Sequence, residues 1–236
     1  MLPWLFRRLV GTYIQGTPRP EAQNLFLIAH TMAEFWESNF KDKQAMWGFE
    51  PAGAAVNTLQ LFQKKGLNKI LIPGFGYGRN ARIFTDNGFE VTGIEISETA
   101  IDIAKKHYGS NIKVFHGPVG NMPYNNESYD GIFCYALIHL LSEKDRAKLI
   151  NDCYNQLTTG GYMVFVAISV NDVSYGKGEL LSKDTFLSPH GVTLFFYNHD
   201  SITHEFGKYG LVEAIEIKEP VNKPSQTFWQ IVCKRK

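Results

Sequence analysis

The stretch Ile70-Leu71-Ile72-Pro73-Gly74-Phe75-Gly76-Tyr77-Gly78-Arg79-Asn80 constrains the fold of this 236-residue sequence more than any other part. An apolar run stops at three alternating glycines, and a helix-like segment follows. About twenty residues after the run begins comes Val91-Thr92-Gly93-Ile94-Glu95, a second apolar run that ends in an acid. Strand, glycine loop, helix, strand, acid is the order in which an α/β chain holds a nucleoside. Glycine lets backbone approach the ligand, and the carboxylate accepts hydrogen bonds from ribose hydroxyls.

The rest of the chain alternates in the same way. Residues 22–40 and a segment opened by Pro51 read as helices, since proline suits a first helical turn. The second has Ala52, Val56, Leu59 and Phe62 on one face and ends at Gly66. Strands are expected at 69–73, 89–95, 112–116, 129–135 and 163–169, with Thr159-Gly160-Gly161 turning into the last of these. Helices are expected at 79–86, from Ser97 to about Tyr108, and at 200–209. Another should follow Ser142-Glu143-Lys144-Asp145, a near match to a capping box, and bury Ala147, Ile150, Tyr154 and Leu157. The runs 211–218 and 227–233 close the chain. The loop between them has no room for a crossover helix, so they should pair antiparallel. The fold class is α/β, a Rossmann-like, doubly wound, mostly parallel sheet of seven strands with a closing antiparallel pair. Its ligand should sit at the carboxyl ends of the strands, beside the first.

Composition narrows the function. A hydrophobic content of 44% and a charged content of 20% suit a globular chain of one large domain. A formal net charge of +1 gives no footprint for nucleic acid. The longest apolar run, 162–168, is too short to span a membrane. Three cysteines, Cys134, Cys153 and Cys233, are odd in number and read as reduced core thiols, which points to the cytoplasm. Residues 1–20 read as an extension and Gly/Pro/Thr-rich linker that need not be native, with Met32 a candidate natural start. Residues 21–236 then form one domain with an N-terminal helical cover over 21–66. The histidines, His199 and His204 included, fit no ligand spacing, so no metal is expected.

A dinucleotide site would have Gly-x-Gly-x-x-Gly, and Arg79 stands where its third glycine belongs. Together, Ile70 to Asn80, Val91 to Ser97, His116 to Tyr124, Ser128 to Cys134 and Thr159 to Val164 resemble the class I S-adenosylmethionine-dependent methyltransferases. The resemblance covers roughly residues 47–234 and implies a single methyltransferase domain, S-adenosylmethionine as cofactor and methyl transfer to a small-molecule acceptor. It implies that Gly74, Gly76 and Gly78 pass the methionine part, that Glu95 binds the ribose and that Ile96 meets the adenine. It also implies that the Val119 backbone reaches the adenine edge and that Tyr135 and Ala136 face the methyl group. Pro73-Gly74-Phe75-Gly76, with Trp47-Gly48-Phe49-Glu50-Pro51, resembles the thiopurine and halide/thiol branch. The second half is similar to tellurite-resistance-type methyltransferases, which suggests a thiol or other soft nucleophile as acceptor. Two family acids are absent, with Ile72 and Pro118 in their places. The Asp/Asn-Pro-Pro-Tyr tetrad of amino-group methylases is replaced by Cys134-Tyr135-Ala136-Leu137.

Each candidate residue has a plainer role beside the functional one. Arg79 and Asn80 start a helix where a cofactor carboxylate would lie, or form a solvated first turn. Glu95 also stands where it would cap the next helix. Trp47 caps the cofactor through cation–π attraction to a sulfonium, or joins Trp36 and Phe40 as cover. His139 is the one candidate general base, with packing as its expected role. Tyr175 is a candidate lid or an exposed loop aromatic. A nicotinamide-dependent oxidoreductase and a non-catalytic binding scaffold are the competing readings.

Overall fold

The computed structural model describes residues 20–109, 112–219 and 225–236, with side chains described from Met32 onward. The expected N-terminal extension and most of the connection between the closing strands lie outside the described residues. The chain runs α1 (Pro20–Lys43), α2 (Gly53–Lys64), β1 (Lys69–Pro73), α3 (Arg79–Thr85), β2 (Glu90–Glu95), α4 (Glu98–Tyr108), β3 (Lys113–His116), β4 (Tyr129–Tyr135), α5 (Glu143–Gln156) and β5 (Leu157–Ile168). Then come β6 (Glu179–Ser182), β7 (Thr185–Leu187), β8 (Thr193–Phe195), α6 (His199–Phe206), β9 (Leu211–Glu219) and β10 (Gln226–Lys234). Among the described residues no helix is long and apolar enough to cross a membrane.

Seven strands form one sheet in the order β3-β2-β1-β4-β5-β10-β9. The first five run parallel, and β10 pairs antiparallel with both β5 and β9. The order reverses between β1 and β4, so a crevice opens at their carboxyl ends. Successive side chains of each central strand point to opposite faces. Ile70 and Ile72 enter one core cluster with Phe62, Phe84 and Phe133. Leu71 enters the other with Ile132, Phe165 and Phe206. Both faces are therefore buried, which is why β1 and β4 read as continuous apolar runs.

Four details differ from the sequence expectation. Strand β5 begins at Leu157 rather than Met163, so Leu157 leaves the helix and Thr159-Gly160-Gly161 lies within the strand. Helix α2 begins at Gly53 rather than Pro51, with Ala52 still extended as its N-cap residue. The carboxylate of Glu219, at the end of β9, accepts from the N–H groups of Gly53 and Ala54 and supplies the cap from a distant strand. Helix α5 buries Arg146, Leu149, Ile150 and Cys153, while Ala147 is exposed. Arg146 is buried because Glu205 lies 2.9 Å away and the Phe195 ring 3.8 Å away, so a charged residue occupies the inner face. The strands β6-β7-β8 form a separate small antiparallel sheet that the sequence pattern leaves as loop. They are three or four residues long, too short to show alternation.

The cover helix α1 is pinned at the amino end of α4. The Glu37 carboxylate accepts from Ser97 Oγ (2.6 Å), Thr99 Oγ1 (2.6 Å) and Thr99 N (3.2 Å). Burial works against its charge, but the bonds from Ser97 and Thr99 outweigh that and bring it from the usual 4.5 to about 2. A carboxyl that ionises more readily when folded stabilises the fold fully above its unfolded value, and the effect fades as pH falls toward the folded one. Glu37→Gln should therefore lower unfolding stability by about 1 kcal/mol at pH 7, after allowance for solvent screening. The gap to the parent chain should shrink between pH 4.5 and about 2. Urea denaturation at pH 7 and pH 3 measures it, and an equal gap at both would remove Glu37 from this role.

Candidate active site

Strand β1 delivers the chain to the crevice at Pro73. Gly74, Gly76 and Gly78 follow with φ of 71°, 57° and 82°, the left-handed region open to glycine. Their surroundings differ. A Cβ on Gly74 would lie 3.0 Å from Leu137, and one on Gly78 would lie 3.0 Å from Phe75. A Cβ on Gly76 would meet nothing within 4 Å, so its backbone borders open space. Glu95, at the tip of β2, lies beneath that backbone with 6% exposure. Its carboxylate accepts from Gly76 N (2.6 Å), Ile96 N (2.9 Å) and Ser97 N (2.9 Å). Burial pushes the Glu95 carboxyl up, and these N–H groups act against it. Ser97 then caps α4 through Ala100 N, so Glu95 serves the loop and the helix entry together.

A cavity of about 930 Å³ opens at this point. Its walls include Trp47, Gly74, Gly76, Arg79, Asn80, Glu95, Ile96, Val119, Tyr135, Ala136 and His139. Two residues grouped with these in the sequence reading stand outside the walls. Pro73 is buried in the strand, and Gly78 is the left-handed N-cap of α3. Val119 opens a 3-10 turn, whose first N–H groups such a turn leaves unpaired. Ala136 has φ of 53°, a strained value for a residue with a Cβ, at the carboxyl end of β4.

Arg79 and Asn80 face the cavity but spend polar atoms on the segment 47–54. Arg79 Nη1 donates to Trp47 O (3.0 Å), and Asn80 Oδ1 accepts from Ala52 N (2.9 Å). Tyr77, not singled out in the sequence, donates its hydroxyl to Gly48 O (2.7 Å) and accepts from Trp47 N (3.1 Å). Its ring stacks on Trp47 at 6.2 Å with 10° between the planes and meets Phe40 edge-on. Trp36 and Phe40 extend this aromatic wall from α1. Tyr175 belongs elsewhere: it packs edge-on against Phe186 of the small sheet and Phe196 just after it, and donates to Asp184.

The far end of the cavity holds His139, Tyr135, Phe228 and Glu219. The His139 ring is 6% exposed, and its Nδ1 accepts from Ile168 N at 3.3 Å. Burial brings its pKa down to about 3, so it is neutral near pH 7. Burial, with Glu219 adding to it, pushes the Tyr135 phenol up to about 12. Glu219 is 4% exposed, and no motif announces it, because its partners lie 165 and 166 residues earlier. Among the described residues no cluster of His, Cys, Asp or Glu could hold a metal ion.

Comparisons with known proteins agree with this frame. The family described as "Methyltransferase domain" matches residues 71–165, the stretch from β1 to β5 that builds the glycine loop and the crevice. Thiocyanate methyltransferase 1 of Brassica oleracea is 24% identical over 171 residues, covering 71% of this chain and 76% of that protein. The structure of Burkholderia thailandensis 1,6-didemethyltoxoflavin-N1-methyltransferase, with bound 1,6-didemethyltoxoflavin and S-adenosylhomocysteine, superposes with a TM-score of 0.67. It is 14% identical, and the match covers 94% of this chain and 93% of that one. TehB from Haemophilus influenzae matches with a TM-score of 0.60 at 18% identity, over 85% of this chain and 67% of that one.

Residues 71–165 of this chain match a methyltransferase domain, and the sheet around them has the Rossmann-like fold of solved S-adenosylmethionine-dependent methyltransferases. The residues present suit S-adenosylmethionine, the cofactor that this similarity implies. A carboxylate lies beneath open glycine backbone, the 3-10 turn opened by Val119 lines the same cavity, and aromatic rings border it. Ile72 takes the place of a family acid because its side chain points into the core with 2% exposure, where a carboxylate would be buried among phenylalanines. Pro118 precedes the Val119 turn and offers only its carbonyl, which Tyr124 Oη already donates to at 2.8 Å.

Replacing Glu95 with Ala removes the carboxylate and should weaken S-adenosylhomocysteine binding by about 1–3 kcal/mol. Calorimetric titration measures this, and an unchanged affinity would take Glu95 out of the binding set. Gly76→Val puts bulk into open space on a left-handed backbone, and should abolish binding in a chain whose circular dichroism is unaltered.

Proposed function

We propose that this methyltransferase acts on a small organic acceptor through a soft nucleophile, with a thiol as the first candidate. The observation that carries the reading is the state of His139. It is the histidine on the cavity wall, yet burial holds it neutral and Nδ1 is spent on the Ile168 N–H. A group protonating only near pH 3 is a weak base at neutral pH. Tyr135, held near 12, keeps its proton as well. An alcohol would need a proton removed as it reacts, whereas a thiolate or a nitrogen lone pair would not. The likeness to a thiocyanate methyltransferase supports a soft nucleophile.

In this reading Glu95 and the backbone at Gly76 hold the ribose, Ile96 and Val119 border the adenine, and Gly74 passes the methionine part. Trp47, braced by Tyr77, covers the sulfonium, where an aromatic face is favourable. Tyr135 and Ala136 border the methyl group. The cofactor supplies an activated methyl on positive sulfur. Bound there, it would pass that methyl to the acceptor's lone pair, and the carbon–sulfur electron pair would stay on the departing sulfur. The protein's part is alignment and exclusion of water. Buried free thiols at Cys134, Cys153 and Cys233 suit a reducing compartment such as the cytoplasm.

Titration with S-adenosylhomocysteine, with NADH as control, should show binding of the former alone. With a thiol acceptor, kcat/KM should rise with pH along the thiol's own ionisation, near 8.5 for an ordinary one and about two units above a free histidine. No inflection should fall between pH 6 and 7. An inflection there that disappears in His139→Asn would make His139 the base and overturn this reading.

A further inference from the structure

The two ends of the cavity differ in chemistry. At the end away from Glu95, Phe228 touches both Tyr135 (6.2 Å between rings) and His139 (6.1 Å), so the three form one wall. His139 accepts at Nδ1, so the neutral ring carries its proton on Nε2. That N–H has no partner among the described residues and belongs to a side chain only 6% exposed on the cavity wall. Glu219 lies on the same cavity. Its carboxylate takes two backbone N–H groups of α2, which fix its direction. A carboxylate offers about four lone-pair positions, so acceptor capacity is left.

The charges lining the cavity have one dominant sign. Glu50, Glu95, Asp145 and Glu219 line the cavity, against Arg79 as the cation among the described lining residues. Arg79 is turned to the Trp47 carbonyl and the face of the Tyr135 ring, 5.8 Å away. An anion entering here meets like charge in a partly desolvated space, and the one cation is already engaged. A cavity of about 930 Å³ is also at the upper end of the roughly 300–1,000 Å³ typical of small-molecule sites.

We infer that the Tyr135–His139–Phe228–Glu219 end is the acceptor subsite, and that Glu219 is its specificity determinant. It selects an organic acceptor that presents an N–H group beside its nucleophile, and it disfavours any further anionic group on the acceptor beyond the reacting atom. His139 Nε2–H complements it as a donor on the wall of the same cavity. The inference rests on the methyltransferase reading of the same cavity and adds the charge and hydrogen-bonding character of the acceptor.

The test uses the full chain loaded with S-adenosylhomocysteine and titrated with three matched probes, benzylamine, benzyl alcohol and benzoate. Benzylamine should bind about tenfold or more tighter than benzoate, with benzyl alcohol between them. Glu219→Gln, which keeps one oxygen for the α2 N–H groups, should compress that range to under about threefold. The parent chain's ranking stands without the variant. Equal or reversed ranking, a ranking unmoved by Glu219→Gln, or no benzylamine binding at millimolar concentration would each overturn the inference. Failure of the loading step itself, with no S-adenosylhomocysteine bound, would instead overturn the cofactor half of the site, and this inference with it.

Discussion

A carboxylate that leaves water must find hydrogen-bond donors, and the arrangement of this molecule follows from how Glu95 finds them. It is buried at the tip of β2 and takes N–H groups from Gly76, Ile96 and Ser97. The first fixes the glycine loop after β1, and the other two fix the entry to α4. Two connections that start from neighbouring parallel strands are thereby set against each other by one side chain. Ser97 carries the chain of contacts outward to Glu37 and so to the cover helix. Loop, helix and cover share a single polar column running from the crevice to the surface.

A second network holds the segment 47–54. Tyr77, Arg79 and Asn80 grip it from the start of α3, and Glu219 grips it from the end of β9. These contacts are mostly to backbone, so they fix the path of the segment whatever side chains it presents. The residues that a motif reading assigns to a ligand are in part structural staples for a neighbouring loop. Arg79 and Asn80 line the cavity and tie its rim at the same time.

Much of the scaffold was legible because its signals are local. The bounds of β1 and β4 follow from apolar runs buried on both faces, and α4 from the Ser97 cap. The antiparallel end followed from a connection too short for a helix. What escaped was set by distance in the chain. The inner face of α5 was misjudged because Arg146 is buried by a salt bridge to Glu205 and by the Phe195 ring, partners from much later in the sequence. The start of α2 moved because its cap comes from Glu219. The strands of the small sheet are too short to carry a period. In the site, Gly74, Gly76 and Glu95 were visible as a motif, while Tyr77 and Glu219 act through partners that no spacing reveals.

The segment 47–54 touches both ends of the cavity, through Trp47 at one and through Gly53 and Ala54, held by Glu219, at the other. A ligand that tightened the segment at one end would change what a second ligand meets at the other. Occupancy at the two ends would then be linked by a coupling free energy, and linkage is reciprocal: whatever one occupant does to its neighbour's affinity, the neighbour returns in equal measure. The order in which two ligands enter and leave would be written into eight residues of backbone rather than into either pocket.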